Sequence, residues 1–198
     1  MSQQAIIVEK ALKCIDEIYP CDNTINNEYL PMDVFYDEAI RWAVDHTPAR
    51  MLGAGAALPT AGVTRGGNFD DVAILDISSL DFGRLLRFSL DGWRTKEVVL
   101  YDTDPRYAQM ANASLRGKPS HPVVCVCDNK TRIEAYSIPV YANGINISKA
   151  TYMPYDADFF TPDMVDIAAW KLAEIVLLSI SDSNAASMCA AHVNELIQ

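Results

Sequence analysis

The sequence has no long hydrophobic run, little basic charge and no regular cysteine spacing, and each of these absences removes a class of protein. The longest apolar stretches, such as Ile175 to Ile180, fall far short of the roughly 20 residues that span a bilayer, so no membrane partner is expected. Glu9 and Lys10 interrupt the N-terminal segment where a secretory leader would continue its apolar core, which makes synthesis in the cytosol the expectation. Lys and Arg number 16 against 26 Asp and Glu, giving a net charge of -10. With no clustered basic footprint, the chain lacks what a nucleic-acid binder uses to neutralise phosphates. The five cysteines (Cys14, Cys21, Cys125, Cys127 and Cys189) are odd in number and scattered, so reduced thiols are expected rather than a disulfide scaffold.

What is present is enough apolar material for a packed core. The 198 residues are 50% hydrophobic and 21% charged, which places the chain among ordinary globular proteins and not among disordered ones. Ile7, Ala11, Cys14, Ile15 and Ile18 recur at helical spacing and predict a helix over 5–18. A second helix is predicted from Pro31 to His46, with Phe35, Ala39, Trp42, Ala43 and His46 on one face. Thr47-Pro48 has the form of a cap followed by a first-turn proline and predicts a short third helix through Leu52. Gly53 to Phe69 holds five glycines and almost no large side chain, so a mobile loop is expected there.

From Val72 to Tyr152 the hydrophobic period shortens to two. Leu86, Phe88 and Leu90 alternate with Leu85, Arg87 and Ser89, and Asp91-Gly92 then leads into Lys96 to Tyr101, a hairpin-like pattern. Val123 to Cys127, Arg132 to Ile138 and Ile145 to Tyr152 are three further strands, divided by the turn pairs Asp128-Asn129 and Asn143-Gly144. Asp104-Pro105 opens a short helix through about Ser114. The helical period returns with Val165, Ala168, Ala169, Leu172, Ile175, Val176 and Ser179, after the start signal Thr161-Pro162-Asp163, and Cys189, Val193, Leu196 and Ile197 mark a last helix. The expected fold is therefore α+β: a terminal-helix bundle over 1–69 and 159–198, with an inserted antiparallel β-sheet lobe over 70–158.

Chemical motifs are weak by comparison. His121, Cys125 and Cys127 supply three potential metal donors but no fourth, and the surrounding valines mark a buried strand where cysteine serves as a small hydrophobe. Gly53-x-Gly55 has neither a preceding strand nor a following Gly-Lys-Ser/Thr, so it does not make a nucleotide loop. The pairs Asp70-Asp71 and Asp156 to Asp158 lack calcium-loop spacing and read as solvated turns. No catalytic, cofactor or metal residue is assigned, and no enzymatic activity is expected. Arg84, Arg87, Trp93, Arg94, Arg116 and Lys118 are of types that favour protein interfaces, and with Gly53, Gly55, Gly66 and Gly67 of the loop they form the candidate interface. Trp93 either faces a partner or folds back onto the sheet.

Asp81-Phe82-Gly83-Arg84-Leu85, Asp91-Gly92-Trp93, Asp104-Pro105 with Tyr107 and Gln109, Arg116-Gly117-Lys118-Pro119 and Pro122-Val123 follow one another in an order and spacing that resembles the head-to-tail connector proteins of tailed phages. The likeness is strongest to the tail adaptors of podovirus-type phages and to the neck ring proteins of crAss-like gut phages, and it extends to the helical ends, including Leu172-Ala173-Glu174. The resemblance implies a virion structural protein in the neck between capsid portal and tail, present as a ring of twelve copies, without cofactor or reaction. Its implied partners are other copies of itself, the portal protein and neighbouring neck or tail rings, with genomic DNA passing through unbound. An acidic channel wall suits that passage, because it repels phosphate. Two other functions stay open at this point: a cytoplasmic assembly chaperone or binding module, and a small acidic hydrolase built on an Asp pair with His121.

Overall fold

The computed structural model describes residues 2–19, 30–66, 72–138 and 144–198. The fold is α+β, with helices at both termini and two sheets between them, and the chain divides into two compact units. Met1–Ala54 and Tyr155–Gln198 make the helical unit, and Gly55–Pro154 makes the β unit. The expected limits at 69/70 and 158/159 thus shift to 54/55 and 154/155. The segment after Gly55 belongs to the sheets because it pairs with them.

The helical unit contains α1 (Gln3–Ile18), α2 (Met32–His46), α3 (Pro162–Ser179) and α4 (Ser183–Ile197). α3 packs against each of the other three. Its sequence explains why: Met164, Val165, Ile167, Ala168, Leu172 and Leu177, among others, are buried around most of its circumference, and a helix apolar on every side sits at a centre. α1 and α4 instead bury single stripes, Ile7, Ala11, Cys14 and Ile15 in one and Ala185, Ala186, Cys189 and Val193 in the other. Ser2, Thr161 and Asp182 cap α1, α3 and α4 by accepting hydrogen bonds from the amides of Ala5, Met164 and Ala185, which would otherwise lack partners. The predicted third helix is absent. Thr47 ends α2, and Pro48 to Met51 closes one turn through a 2.9 Å bond from the Met51 amide to the Pro48 carbonyl. The Thr161 hydroxyl donates to the Met51 carbonyl at 2.9 Å, so this turn is tied to the start of α3. None of the described helices is long and apolar enough to cross a membrane.

The β unit holds β1 (Ala56–Ala57), β2 (Thr64–Arg65), β3 (Val72–Asp76), β4 (Phe82–Leu90), β5 (Val98–Tyr101), β6 (Val123–Cys127), β7 (Arg132–Tyr136) and β8 (Ile147–Pro154). They form a three-stranded sheet in the order β1-β8-β4 and a five-stranded sheet in the order β2-β3-β7-β6-β5. Every pairing is antiparallel except β5 with β6. The expected β4–β5 hairpin does not form, since β4 pairs with β8 and β5 with β6 in the other sheet. Gly92, at a φ of 89°, turns the chain out of one sheet rather than back along it. The Asp128-Asn129 turn does make a hairpin, with Asp128, Asn129 and Lys130 all in the left-handed region.

Inward side chains of both sheets meet in one core that includes Leu75, Phe82, Leu85, Phe88, Val126 and Ile133. The alternation expected on β4 is corrected here. Leu85 is buried with Phe88 and Leu90 while Leu86 is only half-buried, because register shifts around Arg84 and between Leu85 and Arg87 change which face the side chains take. The expected mobile loop is also corrected for its described part, residues 53–66, which supplies edge strands to both sheets. Gly55 has a φ of +66°, and a Cβ there would stand 2.3 Å from the Tyr152 carbonyl oxygen. Gly62 has a φ of +91° but open space around it. Gly55→Ala should therefore lower unfolding stability by about 3 kcal/mol or more, strain and overpacking combined, against about 1 kcal/mol for Gly62→Ala; urea titration of the two variants measures both.

Candidate interaction site

Parallel strands need a long crossover, and the one joining β5 to β6 builds the most distinctive surface of the β unit. Asp104 opens it. Its carboxylate accepts from the Arg106 amide at 2.9 Å and from the Arg106 guanidinium at 2.7 to 3.2 Å. The Arg106 side chain, and then its amide, pull the carboxyl down to about 2. A 3-10 helix, Tyr107–Ala111, replaces the longer helix predicted through Ser114 and buries Met110 against the outer face of the five-stranded sheet. Asn112 stops it, its carbonyl accepting from the Leu115 and Arg116 amides. Lys118 and His121 then close a tight turn, with Pro119 and Ser120 at its tip. That tip is held by the Arg94 amide on the Pro119 carbonyl at 2.9 Å and by the Thr95 hydroxyl on the Ser120 carbonyl at 2.7 Å.

Beneath this crossover lies an open cavity of about 400 Å³. Val98, Leu100, Met110, Leu115 and Val123 give it an apolar lining. Arg106, Arg116, Lys118 and His121 bring basic side chains to the same space. Arg94 and Lys118 also line an adjoining hollow with Gly92, Pro119 and Ser120. In a chain of net charge -10, this gathering of guanidinium and ammonium groups over apolar surface is suited to a carboxylate carried next to an apolar side chain.

Of the residues chosen from sequence, Arg94, Arg116 and Lys118 come together here. Arg116 is only 6% exposed, however, and its guanidinium donates to the Ala111 carbonyl at 3.3 Å, so it braces the crossover from inside and is not an open contact residue. Arg84 and Arg87 lie apart on β4, opposite Met153 and Thr151. Trp93 folds back: its indole N–H donates to the Ser137 carbonyl at 3.0 Å and its ring packs on Phe88. Gly53 stands against the Phe159 carbonyl in the helical unit, Gly66 lies against Val72, and Gly67 falls outside the described residues. Sequence reasoning missed Arg106, Val98 and Leu115. The Asp104-Pro105 turn was a sign of the first, whereas nothing local marks the exposed apolar pair.

The remaining polar chemistry on this face is already engaged. Glu134 accepts from the Tyr136 hydroxyl at 2.6 Å and the Tyr107 hydroxyl at 3.4 Å and pairs with Arg132 at 2.8 Å. Cys125 and Cys127 share this face of β6, both buried. Burial, aided by neighbouring Glu134, pushes the Cys125 thiol well above its ordinary range and the Cys127 thiol up to about 11. His121 is exposed in its turn, with its Nδ1 3.1 Å from the Ser120 hydroxyl. Asp70 and Asp71 lie outside the described residues, and Asp156 and Asp158 belong to the helical unit. Comparison with protein-family models gives no match, and comparison with curated proteins gives none either.

The thiols supply a pH test with a definite sign. Unfolded cysteines ionise near about 8.5, whereas Cys127 stays protonated up to about 11 in the fold. Folding stability should therefore fall as pH rises through that window, because the unfolded chain releases protons first. Iodoacetamide at about pH 8 should leave Cys125 and Cys127 unmodified until denaturant is added, since the thiolate is the reactive form; peptide mass spectrometry reads the labelling.

Proposed function

We propose that this chain is a non-enzymatic assembly subunit of the head-to-tail neck of a tailed phage, made in the host cytoplasm and built into the virion as a ring between portal and tail. The observation that carries the reading is the distribution of apolar surface on the helical unit. Among the described residues seven large hydrophobic side chains are exposed, and three of them, Leu178, Ile180 and Met188, lie on α3, in the turn after it and on α4, where they have water in place of a core. Single exposed apolar residues are ordinary, but several on two packed, consecutive helices and the turn between them fit a surface that is covered on assembly. The order of elements supports the same reading, since a terminal-helix bundle with an inserted β-rich unit is the arrangement the sequence resemblance implies. In this role the helical unit seats on the portal, the β unit meets the next ring, and the acidic chain lets DNA pass without holding it. No cofactor is required.

A cytoplasmic binding module or assembly chaperone would expose similar apolar surface, and finished particles distinguish the two. Cryo-electron microscopy of purified virions should place this chain as a twelve-copy ring beneath the portal, the closed arrangement that head-to-tail interfaces generate. Its absence from the particle would overturn the neck reading and leave the chaperone.

A further inference from the structure

We propose that the cavity under the β5–β6 crossover receives the Asp156–Phe159 turn of a second copy of this chain, joining copies head to tail. The inference deepens the neck reading and rests on it, by naming a contact through which one copy holds the next. Electrostatics motivates it first. Two chains of net charge -10 repel each other, so self-association needs a place where local positive charge meets local negative charge. The cavity and its adjoining hollow, with Arg94, Arg106 and Lys118 at the surface, supply the positive charge, although Asp104 offsets that of Arg106.

The negative counterpart is built into the helical unit. Asp156 and Asp158 are exposed, and the Asp156 carboxylate accepts from the Asp158 amide at 2.9 Å, which fixes the turn. Asp37 adds to it, since all three carboxylates act on the Tyr36 hydroxyl. Phe159 follows at once in the chain and is 38% exposed, a large aromatic surface beside two carboxylates. Val98 and Leu115 of the cavity lining are 46% and 58% exposed, so apolar surface is open at the receiving site as well. An aromatic side chain against these residues, with carboxylates against Lys118 and Arg94, matches the two patches in both charge and polarity. Because the patches differ, the contact is heterologous and propagates from copy to copy until a ring closes.

Lys118→Glu and Asp158→Lys, both at exposed positions, test this with the full-length chain. Sedimentation equilibrium of the unaltered protein should show concentration-dependent association that weakens with added salt. Each variant alone should lose association by about tenfold or more. An equimolar mixture of the two should regain it, because each then offers the other a complementary pair: the reversed charges at one contact and the native charges at the other. Circular dichroism confirms that both variants are folded. Variants that associate within about twofold of the parent, or a mixture that fails to recover, would overturn this contact while leaving the ring reading intact. A parent chain that stays monomeric up to its solubility limit would overturn it in favour of an acidic segment from a different protein. The neck reading itself falls only if the chain is missing from the virion.

Discussion

A helix that is apolar around most of its circumference has to be surrounded, and this requirement organises the helical unit. α3 cannot bury Ile167, Leu172 and Leu177 together with Met164 and Val176 against one neighbour, so three helices gather around it. Two of them come from the far end of the chain. α1 and α2 precede the β unit and α3 follows it, which makes the β unit an insertion into a bundle that is discontinuous in sequence. Polar contacts then fix details of the packing already required: Lys10 with Asp166 between α1 and α3, the Tyr19 hydroxyl with Asp182 at the start of α4, and Lys171 over the Trp42 ring at 4.7 Å. Surface pairs of this kind contribute little individually, about 0 to 1 kcal/mol.

In the β unit the corresponding constraint is that the five-stranded sheet needs cover on both faces. One face meets the three-stranded sheet through an apolar core, and the other holds Cys125, Cys127, Tyr136 and the buried Glu134. The crossover from β5 to β6 has to cover this second face. Its only regular element is a 3-10 helix of five residues, too short to lie across the whole surface. Met110 and Tyr107 protect the centre of the face, and the end near Val98 and Val123 stays open. The cavity is thus a consequence of how short that covering element is.

The positions of α1 to α4 and of the strands β6 and β7 were legible because their hydrophobic periods are long or uninterrupted and their caps and turns are strong, whereas the short helices expected after Thr47 and Asp104 had no such period behind them. The Thr161-Pro162 start and the Asp128-Asn129 turn are examples in which local chemistry and final structure agree. Sheet membership was not legible. β4 followed by Asp91-Gly92 and β5 has the local form of a hairpin, but the partners of each strand are distant in sequence and are selected by packing. The bulges in β4 reversed the facing of Leu85 and Leu86 for the same reason. At the candidate site, the charged members Arg94 and Lys118 were visible by residue type. The burial of Arg116 and the folding back of Trp93 depend on contacts with Ala111, Phe88 and Ser137 that no local pattern encodes.

The discontinuity of the helical unit also has a consequence in time. A ribosome delivers α1 and α2 first, then the whole of Gly55–Pro154, and only afterwards α3. The β unit has all of its strands before the helical unit has its central helix, so it is the first unit able to complete a core. Until α3 emerges, Ile7 and Ile15 of α1 and Ile40 and Val44 of α2 lack the partner that buries them in the finished fold. The nascent chain therefore passes through a stage with a finished β unit and uncovered apolar stripes on α1 and α2, and the speed at which the segment carrying α3 is made governs how long that stage lasts.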